Sequence, residues 1–402
     1  MAIELSSLMF TNQADVVPMS GVEEILNTGI ANTLAGNDKI TGTGTEYNFI
    51  RERNDGTTGF YSIGTGFYNI GTLNTADGND TITGIHSPID PYNPIGLDRI
   101  ESYGILNEAG TIDTGNGNDI ITGISEARIS DGSSYNNFGI HMGSNSTIDT
   151  GNGNDTITGS GLDFGILNWG TIHTDDGNDL ITGANGDQLG SALHNLGVIN
   201  TGDGNDRITG TTKGEDGIFN GDTIDTGNGD DIITGIGTRF GIENYGTINT
   251  GNGNDSIIAE AGFDPLIGGD NSIGNNGGTI NTGNGNDSII SKGRLYNTGV
   301  IFLGEGNDSF IADGVFDGSG DVFLGNGQDD FKGFGSGNFY GGNGKDTLKL
   351  PSGNYTIGIS GATVNFTKGS TIMITSEFEK LIAGSTTYDF TSLTDGQTIV
   401  VA

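Results

Sequence analysis

One internal repeat dominates the chain: the string Gly-x-Gly-Asn-Asp, or a close variant, recurs along most of its length. A short unit that recurs in this way must bury its apolar face against its own copies, which restricts the fold strongly. The repeats end at Asp38, Asp80, Asp119, Asp155, Asp179, Asp206, Asp231, Asp255, Asp287, Asp308, Asp329 and Asp346. The successive spacings are 42, 39, 36, 24, 27, 25, 24, 32, 21, 21 and 17 residues. Spacings near 24 indicate the basic unit, and longer ones indicate insertions into it.

Each unit contains three short apolar stretches, separated by an Asn-x-Gly corner and by the glycine–aspartate corner. Isoleucines recur in register in each stretch and alternate with polar residues. The first stretch has Ile105, Ile166, Ile218 and Ile242; the second has Ile112, Ile148, Ile172, Ile224, Ile248 and Ile280; the third has Ile121, Ile157, Ile181, Ile208, Ile233, Ile257 and Ile289. This alternation is typical of short β-strands with one buried face.

The pattern predicts an all-β fold, in which residues 25–350 form a parallel β-helix or β-roll solenoid of about twelve coils. Residues 1–24 are expected to form an N-terminal cap and residues 351–402 a C-terminal β cap. At the Asn-x-Gly corner the sequence predicts either a stacked asparagine ladder or a simple turn preference. The corner asparagines are Asn69, Asn107, Asn168, Asn195, Asn244 and Asn297.

The charge balance excludes several classes of partner. The chain has 51 acidic and 15 basic residues, a formal net charge of −36, so neither nucleic acid nor anionic lipid is an expected partner. No apolar run is long enough to predict a transmembrane helix. The absence of cysteine excludes disulfides and zinc–thiolate sites.

The row of aspartates raises an electrostatic difficulty. Carboxylates about 5 Å apart repel by roughly 3 kcal/mol at an effective dielectric of about 20, whereas a whole domain is stabilised by only about 5–15 kcal/mol. A cation is therefore expected at the corner, and oxygen-only ligands in a flexible glycine turn favour calcium. The four histidines form no His-x-x-x-His pair and are expected at the surface: His86, His141, His173 and His194.

The copy at 341–349, Gly-Gly-Asn-Gly-Lys-Asp-Thr-Leu-Lys, matches the nonapeptide Gly-Gly-x-Gly-x-Asp-x-Leu-x. It resembles the haemolysin-type calcium-binding (RTX) repeats, and the resemblance extends over most of residues 30–350. It implies that aspartate carboxylates and backbone oxygens of stacked turns bind several Ca²⁺ ions between them. The implied metal ligands are Asp80, Asp119, Asp155, Asp179, Asp206, Asp231, Asp255, Asp287, Asp308, Asp329 and Asp346.

The chain departs from the family pattern in several ways. Asp38 and Asp80 are weaker matches, because Ala35 and Ala76 replace motif residues. The middle coils offer one half-site per 24 residues, so one calcium row is expected, with a second only near 317–321 and 335–338. Threonine replaces the family's first glycine at Thr114, Thr150, Thr174, Thr201, Thr250 and Thr282.

The N-terminus lacks the basic and apolar regions of a signal peptide. The RTX resemblance instead implies type I secretion, with an uncleaved signal at the C-terminal end, and an extracellular or cell-surface location. Insertions follow the third stretch and are expected to be either a recognition face or tolerated surface loops. They span residues 43–65, 85–103, 124–138 and 259–272.

The leading functional hypothesis is a non-catalytic, calcium-stabilised protein of a surface layer, matrix, filament or adhesion. Its solenoid would fold on binding calcium outside the cell. The expected partners besides calcium are a second copy of the chain or a cell-surface polysaccharide.

Two alternatives remain open. A polysaccharide-modifying enzyme would use basic and aromatic residues near the insertions, namely Arg51, Arg53, Arg99, Arg128, Tyr47, Tyr61, Tyr68 and Tyr103. An ice- or carbohydrate-binding solenoid would present threonine in the outward slot of the corner, or the corner aromatics Trp169 and Tyr245. That slot instead holds Asn116, Asn152, Asp176, Asp203, Asn252 and Asn284.

Overall fold

The computed structural model describes residues 2–18, 23–45, 48–51, 60–87, 99–126, 135–186, 190–262 and 271–402. The chain divides into two compact units, Met1–Ile218 and Phe219–Ala402, each of which is described by itself. In both units the strands form three sheets that are mainly parallel. The described residues contain no α-helix, only the 3₁₀ turns Leu5–Ser7 and Phe390–Ser392. The predicted all-β parallel solenoid is confirmed.

Each coil contributes one strand to each sheet. One coil of the first unit consists of Phe164–Asn168, Thr171–His173 and Leu180–Asn185. Ile172 and Ile181 pair in parallel with Ile199 and Ile208 of the next coil, and Ile166 pairs with Leu193. These side chains are fully buried in the lumen, where each contributes about 1.5–3 kcal/mol relative to an exposed position. The predicted isoleucine core is therefore the core of the protein.

The strands of the first unit follow this order. The first sheet contains Ile3–Glu4, Ile25–Asn27, Phe60–Asn69, Arg99–Asn107, Tyr135–Met142, Phe164–Asn168 and Leu193–Asn195, with Asn48–Arg51 antiparallel to Phe60–Asn69. The second contains Ile30–Asn32, Thr72–Asn74, Thr111–Asp113, Thr147–Asp149, Thr171–His173 and Val198–Asn200. The third contains Val16–Val17, Lys39–Gly44, Thr81–His86, Ile120–Ser125, Thr156–Gly161, Leu180–Asn185 and Arg207–Thr212.

The second unit repeats the arrangement; the strand Asp216–Asn220 spans the division between the units. Its first sheet contains Phe240–Asn244, Asn271–Asn275, Arg294–Asn297 and Phe316–Gly318. The second contains Thr223–Asp225, Thr247–Asn249, Thr279–Asn281, Val300–Glu305, Asp321–Gly327, Gly337–Gly344, Thr371–Ser376, Thr363–Lys368, Gly353–Ser360 and Thr398–Val401. The third contains Ile232–Gly237, Ser256–Ala261, Ser288–Ser291, Ser309–Ala312, Asp330–Lys332, Thr347–Leu350, Lys380–Ala383 and Thr386–Asp389.

The two ends of the chain continue these sheets. Ile3–Glu4 pairs in parallel with residues 25 and 26. After residue 350 the pairing between Gly353–Ser360, Thr363–Lys368 and Thr371–Ser376 is antiparallel, as expected of a β cap. The domain boundaries at 24/25 and 350/351 stay a prediction.

The asparagine ladder is confirmed by its hydrogen bonds. Asn69 Nδ2 donates to Asn107 Oδ1 (2.9 Å), and Asn244 Nδ2 donates to Asn275 Oδ1 (2.9 Å). The ladder also includes Asn27, which donates to Asn69, and it is broken at Met142, whose Sδ lies 3.7 Å from Asn107 Nδ2. The ladder asparagines are fully buried, so turn preference alone does not explain them.

The insertions are described only in part. Phe60–Asn69, Arg99–Asn107 and Tyr135–Met142 are longer than the predicted first stretch, because they extend into the insertions. Residues 46–47, 52–59, 88–98, 127–134 and 263–270 lie outside the described residues. Arg53, Arg128 and Tyr47, which the enzyme hypothesis needs, lie there too.

Candidate metal-binding corner

The corner between the second and third sheets turns its aspartate inward. In 114–119 the threonine and the aspartate are buried, whereas Asn116 and Asn118 are exposed. All predicted metal ligands occupy this inward position and are 0–2% exposed. They form one row in each unit: Asp80, Asp119, Asp155, Asp179 and Asp206 in the first, and Asp231, Asp255, Asp287, Asp308, Asp329 and Asp346 in the second. Asp38 belongs to the first row.

A ladder of hydrogen bonds holds one oxygen of each carboxylate. The backbone N–H of each aspartate donates to Oδ1 of the aspartate one coil later, as from Asp119 to Asp155 (2.7 Å) and from Asp155 to Asp179 (2.8 Å). The contacts within the two rows measure 2.7–3.0 Å. Oδ1 is therefore satisfied, and the carboxylate is fixed between consecutive coils.

The second oxygen, Oδ2, has no hydrogen-bond partner within the described residues in nine of these aspartates. They are Asp80, Asp119, Asp155, Asp179, Asp255, Asp287, Asp308, Asp329 and Asp346. A buried carboxylate oxygen without a donor is costly, so this row needs a physical explanation. Asp38 differs, because the hydroxyl of Thr33 donates to its Oδ2.

The inward threonine does not satisfy Oδ2 in the later coils. Thr75 and its equivalents lower the pKa of several of these carboxyls, Asp80 among them. Several of these hydroxyls nevertheless donate to a carbonyl of the next coil, as from Thr75 Oγ1 to Thr114 O (3.4 Å) and from Thr282 Oγ1 to Leu303 O (2.9 Å), whereas the Thr150 hydroxyl has no hydrogen-bond partner within the described residues. Because a hydroxyl has only one proton, a threonine that donates to a carbonyl does not also donate to Oδ2.

Burial raises the pKa of the carboxyls in the row above that of a free aspartate. The pKa of Asp179 and Asp308 rises to about 7. The pKa rises to about 6 in Asp80, Asp119, Asp155, Asp206, Asp255 and Asp346. Desolvation is the largest cause throughout, and the charge of a neighbouring acidic residue adds to it. Without a bound cation, full ionisation of these carboxyls near neutral pH therefore destabilises the folded corner.

Glycine carbonyls complete the oxygen lining. A Cβ on Gly253, whose φ is +144°, would lie 1.7 Å from the carbonyl oxygen of Gly229 in the preceding coil. At Gly177 a Cβ would lie 1.4 Å from Gly153 O and 3.2 Å from Asp179 Oδ1. Only glycine fits here, because the carbonyl of one coil points directly at the Cα of the next.

This donor set fits a hard divalent cation. No three His, Asp or Glu side chains converge into a metal-binding cluster within the described ranges. A cation here would thus be held by carboxylates of consecutive coils together with carbonyl oxygens. Such all-oxygen donors, with an unsatisfied buried oxygen in each coil, suit Ca²⁺.

The predicted second half-sites have other partners. Asp317 forms an ion pair with Arg294 (2.8 Å), and Asp321 Oδ1 accepts from Asn338 Nδ2 (2.9 Å). These contacts leave the row at the glycine–aspartate corner as the stronger candidate.

The prediction of surface histidines was wrong for His86, which is fully buried, with Nδ1 2.5 Å from Ser102 Oγ. His141 is partly buried and stacks on Phe138 (centroids 5.2 Å apart), and burial lowers its pKa to about 4. His173 and His194 are partly exposed.

Sequence reasoning missed the residue that begins the row of the first unit and the residue that ends the row of the second. Asp15 N–H donates to Asp38 Oδ1 (2.7 Å) at one end, and Asp346 N–H donates to Glu379 Oε2 (2.7 Å) at the other. Neither Asp15 nor Glu379 lies in a glycine motif, so the repeat gave no signal for them.

No protein-family model matches the chain, and no curated protein has a significantly similar sequence. The structure is similar to that of a hyperactive, Ca²⁺-dependent, β-helical antifreeze protein from an Antarctic bacterium, with 18% identity, 96% coverage of each chain and a TM-score of 0.37. It is also similar to extracellular lipase LipA from Serratia marcescens, with 16% identity, 72% coverage of this chain, 45% of the lipase and a TM-score of 0.14. The RTX resemblance stays a prediction. Among the described residues, no helix is long and apolar enough to cross a membrane.

Proposed function

We propose that this chain is a non-catalytic, calcium-binding structural or adhesive protein, whose solenoid is stabilised by a row of Ca²⁺ ions outside the cell. The observation that carries the proposal is the row of nine buried aspartate Oδ2 atoms without donors among the described residues. A cation placed between coils would satisfy these oxygens and offset the repulsion along the row.

The net charge supports a large uptake of cations. Ten divalent ions would change the formal charge from −36 to −16 (−36 + 2 × 10). Ions bound by the folded chain and not by the unfolded chain convert binding free energy into stability. Sites built from turns of this kind suit the higher calcium concentrations found outside the cell, and the secreted location belongs to the proposal on that ground.

A calcium titration tests the proposal. The chelated protein is titrated with CaCl₂ and, in parallel, with MgCl₂, while far-UV circular dichroism and bound metal are measured. Calcium is expected to increase β-structure and thermal stability, and magnesium to act much more weakly. A chelated protein with full β-structure that takes up no calcium would contradict the proposal.

Substitutions connect the binding to the row. Asp119→Asn combined with Asp155→Asn should lower the number of bound Ca²⁺ ions, because both carboxylates lie between coils. The matched control is Asn118→Ala together with Asn154→Ala, since these neighbours are exposed. Equal calcium uptake by both double variants would mean that the aspartates are not the ligands.

Threonine rows favour ice binding as a second candidate function. Thr41, Thr83, Thr122, Thr158, Thr182 and Thr209 lie opposite one another on the outward face of the third sheet in the first unit, and all are partly exposed. The side chains of Thr83, Thr122, Thr158 and Thr182 repeat about every 4.8 Å along this face, whereas the hydroxyl oxygens of Thr41 and Thr209 are buried. The corner slot, in contrast, holds exposed asparagines that bond to one another, as from Asn152 Nδ2 to Asn116 Oδ1 (2.8 Å).

Thermal hysteresis in calcium distinguishes this candidate from a purely structural role. Ice binding predicts a measurable freezing-point gap that Thr158→Tyr abolishes, because a bulky ring interrupts the row. Asn152→Tyr, at the corner, is the control that should retain it. No gap in the calcium-loaded wild type would rule out ice binding.

A further inference from the structure

The first coil of the row in the first unit and the last coil of the row in the second unit are closed in different ways. In the first unit, Asp38 Oδ1 accepts from Asp15 N–H and its Oδ2 from the Thr33 hydroxyl. The Asp15 carboxylate in turn accepts from the backbone N–H (2.8 Å) and the hydroxyl (3.2 Å) of Thr11. Protein donors therefore satisfy the carboxylates at this end, and a cation is not required there.

At the other end, in the second unit, the corner is shortened. Tyr340 pairs with Ser376 and Thr347 pairs with Lys380, so the six residues 341–346 lie opposite only three, 377–379. Glu379 takes the place of the next aspartate in this reduced corner, and its Oε2 accepts from Asp346 N–H (2.7 Å). The longer glutamate side chain reaches the N–H that an aspartate accepts in the longer corners.

An unsatisfied carboxylate oxygen and a backbone carbonyl oxygen lie close together at this point. Asp346 is fully buried, and its Oδ2 has no hydrogen-bond partner within the described residues. A Cβ on Gly341 would lie 3.0 Å from Asp346 Oδ2 and 2.0 Å from the carbonyl oxygen of Glu377. These two oxygens thus border the same space and lie at most 5.0 Å apart (3.0 + 2.0).

The sequence keeps this space open. Most earlier corners have an inward threonine five residues before the aspartate, whereas this one has Gly341. Glu377 adopts a left-handed φ of +62°, close to that of the first glycine of the motif in other corners, such as Gly151 at +67°. Burial and the negative charges of Asp329, Glu379 and Glu377 raise the pKa of Asp346. Negative charge and an unsatisfied, buried carboxylate oxygen thus lie at the same point.

We propose that Asp346, Glu379 and the backbone carbonyl of Glu377 form a terminal divalent-cation site that closes the row of the second unit. It rests on the proposed function, because it takes the same cation as the other corners. It differs from them in that one carboxylate belongs to an exposed glutamate in a short, glycine-free turn. Since water reaches it most readily, this site should exchange its ion faster than the buried sites.

Counting ions by native mass spectrometry tests the site. Each bound Ca²⁺ adds about 38 Da after loss of two protons, a step that is resolvable on a 41.4 kDa chain. Glu379→Gln retains an acceptor for Asp346 N–H but removes the charge, so it should bind one Ca²⁺ fewer than the wild type. Gly341→Thr should also lose one ion, because in this shortened corner its Cβ would lie 2.0 Å from the carbonyl oxygen of Glu377 and would displace that ligand.

Glu260→Gln is the matched control: it makes the same chemical change at an exposed glutamate that pairs with Lys292 (2.8 Å) outside the corner, and it should retain the full number of ions. Wild-type numbers and affinities in both Glu379→Gln and Gly341→Thr would overturn the inference and leave Glu379 as a simple cap, with the proposed function intact. A wild type that binds no calcium would overturn the proposed function together with the terminal site. Circular dichroism of each variant in calcium verifies that it is folded.

Discussion

Replacing Asp179 by asparagine should change the stability of the protein in opposite directions with and without calcium. The asparagine retains an oxygen to accept from Asp155 N–H, the bond of 2.8 Å that holds Oδ1 in the wild type. It removes the charge from a residue that is 2% exposed. The variant therefore preserves the ladder and changes only the charge that a cation would neutralise.

The expected magnitude without metal follows from the pKa of this carboxyl. Burial raises the pKa of Asp179 from 3.8 to about 7, and each unit corresponds to about 1.4 kcal/mol. At pH 8 an ionised Asp179 thus costs the folded state about 4 kcal/mol at most. Asp179→Asn should recover a large part of this free energy in chelator.

With calcium the sign reverses, because the substitution removes a ligand from the ions on either side of the coil. Loss of one ion costs about 2.7 kcal/mol when free calcium is a hundredfold above its dissociation constant. Asp179→Asn should then unfold at a lower temperature than the wild type.

The measurement is thermal unfolding by circular dichroism at pH 8, in chelator and in excess CaCl₂. Sucrose in both buffers strengthens apolar burial without binding calcium and helps to maintain the folded state without metal. Asp176→Asn, which removes an exposed charge from the same corner, should shift stability by no more than about 0.5 kcal/mol in either buffer. Destabilisation of Asp179→Asn in both buffers, or an equal response of the two variants, would refute the reasoning.

Three further predictions concern pH, the asparagine ladder and the glycine corner. In the folded state the pKa of carboxyls such as Asp80 and Asp179 is about 6–7, above the unfolded value of about 3.8, so protonation stabilises the fold at low pH and this stability is lost as the pH rises through about 6–7. The chelated protein should therefore melt at a higher temperature at pH 5 than at pH 8. The opposite order would contradict the pKa shifts. Met142→Asn should raise the free energy of unfolding, measured by urea titration, by about 1 kcal/mol, because an amide hydrogen bond replaces the 3.7 Å contact between Asn107 Nδ2 and Met142 Sδ. A lower free energy of unfolding would show that the methionine is needed for packing. Gly253→Ala should destabilise the protein by about 3 kcal/mol or more, because its Cβ would lie 1.7 Å from Gly229 O. An unchanged urea midpoint would show that the backbone of the corner can move to accommodate a Cβ.

Repetition made most of the fold predictable from the sequence. The buried isoleucines, the corner asparagines and the inward aspartates recur in register, so each position is indicated by its equivalents in other coils. Period-two alternation assigned the three strands of each coil correctly, including Ile166, Ile172 and Ile181.

Features that occur only once were not predictable in this way. Met142 interrupts the asparagine ladder, and His86 is buried among Ser102 and its neighbours, although nothing in the repeat distinguishes either residue. Glu379 lies in a corner half the usual length, so its spacing from Asp346 matches no other copy. The hydrogen bonds to Oδ1 also depend on the distance between consecutive coils, which cannot be derived from the sequence.

The constant step between coils has a consequence for how such a protein changes during evolution. Thr156 pairs with Leu180, and Asp155 N–H donates to Asp179, a residue 24 positions later. If residues 156–179 were deleted, Asp155 would precede Leu180 directly and would stand where Asp179 stood, with the remaining strands in register. A gene can therefore lose or duplicate one coil without redesigning the others. The number of stacked coils, and with it the number of candidate cation positions, can be adjusted one coil at a time.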